Sequence, residues 1–438
     1  EACDKAIEID PNLAIAWSNK AFCLNNIGKY EEALEACDKA IEIDPTYAMA
    51  WNNKGASLNN IGKYEEALEA NDKATEIDPN LTLAWTNKAF YLNNIGKYEE
   101  SLEVSDKALE IDPNLATLWI NKGLCLINIG KYEEALEVSD KAIEIDPSLA
   151  MAWYNKGASL NSLGKYEEAL ETCDKSIEID PSLAIAWYNK GISLNNIGKY
   201  EEALEANDKA TELDQSLAMA WYNKGISLNN IGKYEEALEA NDKATEIDPS
   251  LAMAWNNKGV SLNSLGKYEE ALEACDKAIE IDPSLATAWY NKGISLNNIG
   301  KYEESLEAND KAIEIDPSLA LPWLNKGLCL INLGEIEESL NAYNKAIELD
   351  QSLAMAWNNK GASLNSLGKY EEALEACDKA IEIDPNLTVA WSNKGLFLIN
   401  LGIYEESLLA YEKALEIDHD CTDAIKGKKF VLEKLNKI

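Results

Sequence analysis

Nine cysteines, one histidine and 77 carboxylates are the side chains of this 438-residue chain with the reactivity for chemistry. Their spacing argues against it. Cys3, Cys37, Cys173, Cys275 and Cys377 share one place in a 34-residue pattern, Cys23, Cys125 and Cys329 share another, and Cys421 stands apart. Equivalent places in stacked units lie about 8–10 Å apart, beyond the roughly 7 Å between Cα atoms that a disulfide spans. Cys23 and Cys37 are the only pair within one unit, the count is odd, and no Cys-x-x-Cys occurs. The one histidine, His419, stands in a loop where other units carry proline. Reduced, buried cysteines in a cytoplasmic protein are therefore expected, with no metal and no cofactor. Each Gly-Lys is followed by Tyr rather than Ser or Thr, so it is no phosphate loop, and no nucleophile–base pair presents itself. The expectation is a chain that is not an enzyme. Asn80 and Asn386 open Asn-Leu-Thr glycosylation triplets, a pattern that chance produces easily.

The elements that position these residues follow from one stretch, 252–285, which the chain repeats. Trp17, Trp51, Trp85, Trp119, Trp153, Trp187, Trp221, Trp255, Trp289, Trp323, Trp357 and Trp391 recur every 34 residues and are all the tryptophans present. A fixed period of this length predicts a solenoid. Within the unit, Ala254, Trp255, Gly259 and Leu262 fall at helical spacing, as do Ala271, Leu272, Cys275, Ala278, Ile279 and Ile281. Gly266 supplies a left-handed residue to close the first helix. Asp282-Pro283 stops the second, and the proline suits the first turn of the next helix. Each unit thus reads as a hairpin of helix A and helix B that cannot cover its own apolar face without neighbours.

Trp255, Gly259, Ala271 and Pro283 match the pattern of the tetratricopeptide repeat, which the chain resembles over all but its two ends. Lys258, Leu262 and Cys275 depart from it, standing where the pattern has Leu, Tyr and Phe. The resemblance implies an all-α, right-handed superhelical solenoid, continuous through the chain. Residues 1–13 then form the helix B of a half repeat, 14–421 twelve units, and 422–438 a lysine-bearing capping helix. The absence of an initiator Met suggests a piece of a longer protein, and an uncovered half repeat predicts head-to-tail self-association through Glu1–Leu13. Gln215 and Gln351 replace the helix-stopping proline, a change that could loosen their junctions and that reads as drift of the repeat.

The net charge of −37 is the repeat's own, because a typical unit holds six carboxylates and three lysines. The acids, such as Glu269, Glu270, Glu273, Asp276, Glu280 and Asp282, fall on helix B or the turn after it, with Glu273 and Lys277 spaced as an i,i+4 pair. This balance argues against nucleic acid, which needs a basic stripe. No apolar run approaches the ~18 residues of a membrane span. Arginine is absent, so bidentate guanidinium recognition is too.

Helix A carries the functional signal. Opposite its Trp-Gly-Leu stripe lie five positions, those of Met253, Asn256, Asn257, Val260 and Ser264, which hold no charged residue in any of the twelve units. The family places helix A on the concave surface, so a neutral groove is expected there. One position is always asparagine, including Asn121, Asn155, Asn189, Asn223, Asn257 and Asn291. A carboxamide pairs with both groups of a peptide unit, and the row resembles the asparagine ladder in the repeat segment of O-linked N-acetylglucosamine transferases. As groove residues these side chains are expected to meet solvent when no ligand is present. Tyr154, Tyr188, Tyr222 and Tyr290 occupy a second groove position and the five methionines a third. The expectation is a scaffold binding extended peptide or partner segments. A substrate-recruiting arm of a larger enzyme and a self-assembling rod remain the alternatives.

Overall fold

A computed structural model describes residues 2–435 of the chain, and among them lie 26 helices and no strand. Helix α1 (Ala2–Ile9) stands alone, α2 (Ala14–Asn26) and α3 (Tyr30–Ile43) open a series of twelve A–B pairs, and α26 (Thr422–Leu435) follows the last pair. The chain separates into two compact units, Glu1–Ser216 and Leu217–Ile438. In each, helix A packs on its own helix B, on the helix B before it and on neighbouring A helices. Each is an all-α stack of hairpins, the solenoid architecture that the period predicts.

The repeat of α16 (Ala252–Ser264) and α17 (Tyr268–Ile281) shows why the chain turns where it does. Gly266 takes φ +73°, and the Lys267 N–H reaches back to the Leu262 carbonyl at 2.9 Å. An L side chain is strained at that φ, which fixes glycine there. Helix B ends at Asp282, extended at φ −131°. The Asp282 carboxylate accepts the Ser284 N–H at 2.9 Å and its hydroxyl at 2.6 Å. Helix A then starts at Ala286, so Pro283 lies in the turn and not, as expected, in the first turn of the next helix.

Gln351 leaves its junction unchanged. Asp350 is extended, Ser352 donates to it, and the Trp357 Nε1 donates to the Gln351 carbonyl at 3.2 Å as other tryptophans do to proline at 2.9–3.0 Å. The aspartate turn, with the indole closing it, shapes the junction. Where Pro322 enters the first turn of α20 (Ala320–Leu333), the Trp323 Nε1 is instead buried without a partner.

The two helices of a hairpin cross at the glycine of helix A. A Cβ on Gly259 would lie 2.7 Å from the Cys275 sulfur and 3.4 Å from the Ala271 carbonyl. The residue over the glycine is Cys275 here and Tyr343 over Gly327. Against the small Cys37 the first repeat carries Ala21 instead, and both are fully buried.

Two outcomes follow from this geometry. Gly327→Ala would set a Cβ 2.7–2.8 Å from Cδ1 and Cζ of the buried Tyr343 ring. It is expected to cost about 1–3 kcal/mol in urea unfolding. Gly123→Ala meets nothing closer than 3.2 Å and should come out near neutral, since alanine favours the helix by about 1 kcal/mol; equal losses in the two variants would refute the crossing argument. Separately, the Ser284 hydroxyl, with its N–H, holds the Asp282 carboxyl below the usual carboxylate range. A folded pKa below the unfolded one contributes stability that is present above the unfolded pKa and lost as pH falls through the folded value. Ser284→Ala should move the Asp282 carboxyl titration, followed by NMR, up toward the ordinary ~3.9. An unmoved midpoint would clear the hydroxyl of that role.

Candidate functional site: the helix A face

Charge and its absence divide the repeat cleanly. Glu269, Glu270, Glu273, Asp276 and Glu280 are exposed on helix B. Lys277 turns forward to Glu280 at 2.7 Å, an i,i+3 pair in place of the expected pairing with Glu273. Lys258 leans over the Trp255 ring, 5.2 Å from its centroid, to reach Asp242 of the preceding helix B at 2.6 Å. The same Lys–Asp contact joins Lys156 to Asp140 and Lys292 to Asp276, both at 2.7 Å. These lysines serve the outer side, and Trp255 stays half-buried beneath them.

The asparagine row does not meet solvent as expected. Asn155, Asn189, Asn223 and Asn291 are buried, and Asn121 and Asn257 half-buried. Three of their amide groups reach along the stack, while Asn189 Nδ2 is buried without a partner. Asn155 Nδ2 donates to the Ile120 carbonyl of the preceding helix A at 2.9 Å, and Asn121 Nδ2 to that of Thr86 at 3.3 Å. Asn291 Nδ2 donates to Asn256 Oδ1 at 2.8 Å, again 35 residues back. Asn257 turns to helix B instead, donating to Asn241 Oδ1 at 3.1 Å, while its own oxygen accepts from Asn229. The reason is the spacing of adjacent A helices, which puts the neighbour's backbone within reach of a short carboxamide. A second asparagine–serine row reinforces it. The Ser193 hydroxyl donates to Asn161 Oδ1 at 2.8 Å, and Asn161 Nδ2 to the Asn189 carbonyl at 3.0 Å. Sequence reading missed this second row, whose signal is the Asn-to-Ser spacing of 32.

Tyr154, Tyr188, Tyr222 and Tyr290 are half-buried. Burial raises the pKa of Tyr154, Tyr222 and Tyr290, as expected of phenols packed against the stack with one edge open. Beside a polar row at the Ser264 position, Asn or Ser and exposed in every unit, the large apolar side chains that this face exposes lie in two rows. Ile15, Leu83, Met253, Leu321, Met355 and Val389 form one, and Phe22, Phe90 and Leu396 belong to the other, seven residues on. In the second unit, α24 (Thr388–Asn400), α25 (Tyr404–Ile417) and α26 form an open cavity of about 660 Å³ lined by Val389, Leu396, Tyr411, Lys426, Gly427 and Phe430. Gly427 stands in the asparagine row, where a Cβ would crowd the Tyr411 ring. That break in the row was the available signal for the cavity.

Burial pushes the thiols of Cys37, Cys173, Cys275 and Cys377 up to about 12, which leaves them unreactive at neutral pH. Not all nine cysteines are buried, however, since Cys23 is exposed and Cys3 and Cys421 are half-buried. Among the described residues no group of three or more His, Cys, Asp or Glu has the arrangement to hold a metal, and no helix is long and apolar enough to cross a membrane. Glu1 of the expected N-terminal contact and Lys437 of the capping helix lie outside the described residues.

Stacked helix hairpins with a charged outer side and an uncharged A side define a repeat scaffold of the protein-interaction type. Tetratricopeptide repeat profiles match residues 14–47, 48–81, 150–183, 184–217, 218–251, 252–285, 286–319, 320–353 and 354–387, and a second profile of the same description matches 83–115, 116–149 and 389–421. The chain belongs to the tetratricopeptide repeat family. No curated protein matches it. The crystal structure of the APC/C hetero-tetramer Cut9–Hcn1 is similar over 95% of each chain, with a TM-score of 0.57 and 16% identity, a likeness of fold alone. YrrB, described as a tetratricopeptide repeat protein with an unusual peptide-binding site, is 31% identical over 43% of this chain and 96% of its own, with a TM-score of 0.35.

The asparagine row yields a paired test. Asn155→Ala removes a buried inter-repeat bond and is expected to lower stability by about 1 kcal/mol in urea unfolding. Asn19→Ala, at the same repeat position but exposed, should change it by less than about 0.5 kcal/mol. Equal effects would show that the carboxamides do not staple the stack.

Proposed function

We propose that this chain is a non-catalytic scaffold that holds an extended segment of a partner protein along the A helices, in the cytoplasm. The observation that carries the reading is the pair of exposed apolar rows on a face without charge, Met253, Leu321, Met355 and Leu396 among them. Exposed apolar side chains in regular rows suit a partner that supplies apolar side chains of its own. The open edges of Tyr154, Tyr188, Tyr222 and Tyr290 add contact area at low entropic cost. Asn121, Asn155, Asn189, Asn223, Asn257 and Asn291 act in this reading mainly by fixing the rungs on which the rows stand. Their remaining lone pairs, as on Asn121, are secondary contacts for a peptide backbone.

The test is binding of uncharged and charged peptide libraries to the full chain, read by fluorescence anisotropy. Apolar, weakly charged sequences should bind, with affinity nearly constant between about 0.05 and 0.5 M salt because no charge on this face is there to be screened. Joint replacement of Met253, Leu321 and Met355 by Ser should weaken binding about tenfold or more. The fold should be left intact, as these side chains are exposed. Binding that survives the triple change, or that collapses with salt, would refute the reading.

A further inference from the structure

Four repeats, one in the first unit and three in the second, carry the same open hollow on their outer side. It lies between helix A and helix B of the hairpin and measures about 530–610 Å³ beside Trp187, Trp255, Trp289 and Trp357. In the repeat of α16 and α17, the half-buried Trp255 lines it with Leu262 and Ala274. Four carboxylates, Glu270, Glu273, Asp276 and Glu280, line it too, against two lysines that are both engaged elsewhere. Lys258 spans the Trp255 ring to reach Asp242, and Lys277 turns forward to Glu280. That forward turn leaves Glu273 without an ion-pair partner among the described residues. The lysines of the other three hollows turn the same way, to Glu212, Glu314 and Glu382, and leave Glu205, Glu307 and Glu375 in the same condition.

The protein's own lysine shows what such a place accepts. Lys258 holds its ammonium 5.2 Å from the indole centroid and 2.6 Å from a carboxylate. A tryptophan ring attracts a cation to its face, and a long basic side chain covers apolar surface with its stem while its head stays in water. The hollow offers a second cation the same pieces, an apolar lining and, in Glu273, a carboxylate that no lysine of the chain neutralises. We propose that these hollows bind a lysine- or arginine-rich segment of a partner protein, one basic side chain in each. The stem lies on the Trp–Leu lining and the charged head meets the carboxylate at the Glu273 place. The excess of carboxylates over lysines around each hollow turns acidic segments away. The hollows beside Trp255 and Trp289 stand one repeat apart, so a segment with several basic residues engages them together and gains from each. The outer side is distinct from the uncharged A face. The scaffold then holds two partners at once, one through apolar side chains and one through charge.

The probe is a fluorescein-labelled, end-blocked peptide that repeats Lys-Ala-Ala, titrated with the full chain and followed by anisotropy. It should bind at about 0.05 M salt and lose about tenfold or more of its affinity at 0.5 M, where the attraction is screened. The same peptide with Gln for every Lys should not bind. At about 0.15 M salt, Glu273→Gln, Glu307→Gln and Glu375→Gln together should weaken the lysine peptide about tenfold. Glu269→Gln, Glu303→Gln and Glu371→Gln remove equal charge from the same helices outside the hollows, and should weaken it about twofold at most. Replacing Met253, Leu321 and Met355 by Ser on the A side should leave it unchanged. All nine side chains are exposed, so each triple variant should unfold with heat as the parent does. Equal losses from the two glutamate triples would trace the binding to the acidic surface at large and overturn the proposal. So would a loss with the A-side triple, which would put the peptide in the groove, or an affinity that ignores salt.

Discussion

The close crossing of helix A over helix B at one residue sets the spacing of everything else in this protein. Because position 259 lacks a side chain, helix B approaches until Cys275 nearly touches the helix A backbone. The small residues Ala254, Ala271, Ala274 and Ala278 complete the contact. The alanines of this contact gain little per side chain, since each buries only a methyl group, and Leu262 with the half-buried Trp255 adds the larger apolar surface. Burial summed over many hairpins supplies the stability. It does not specify how one hairpin sits on the next, because alanine surfaces slide past one another at small cost.

Directional contacts supply that specification, and three recur at fixed spacings. Lysine on helix A reaches aspartate 16 residues back, as Lys292 reaches Asp276. The helix B residue over the glycine meets helix A 20 residues on, as Asn241 meets Ser261. The carboxamide row reaches back 35, as Asn155 reaches Ile120. Each contact is modest. The exposed ion pairs contribute about 0–1 kcal/mol and the buried bonds about 1 kcal/mol apiece. Their value is geometric, because a one-residue slip breaks all three together and leaves buried amides without partners.

The helix pairs, their ends and the outward acids were legible in the sequence because each rests on a local rule. Gly266 needs positive φ, Asp282 ends a helix whatever follows, and the exposed acids need no partner. The asparagines were misjudged because a helical wheel gives direction without distance. Asn155 does point away from helix B, but the adjacent A helix lies in that direction and buries it. Lys277 was misjudged for a similar reason, since Glu280 lies closer to it than Glu273 does, one turn along. The cavity beside Phe430 depends on a glycine and a tyrosine from different helices, Gly427 and Tyr411, a pairing that no single-unit pattern contains.

Near-identity of the repeats has a physical consequence for function. If every rung offers the same side chains, a bound segment gains equally from several registers, and no single rung selects a sequence. Selectivity must then arise where the pattern breaks. Asp423 and Lys426 bring charge to an otherwise neutral row, Phe430 and Gly427 change its shape, and Tyr343 enlarges one hairpin core. In the proposed reading the regular rungs would confer reach along a partner, and these departures the points at which one partner differs from another. On that reading the uniform rungs of the second unit, beside a charged and shaped pocket, would favour a partner with one distinctive end and an undemanding remainder, since only the end would meet chemistry that the other rungs lack.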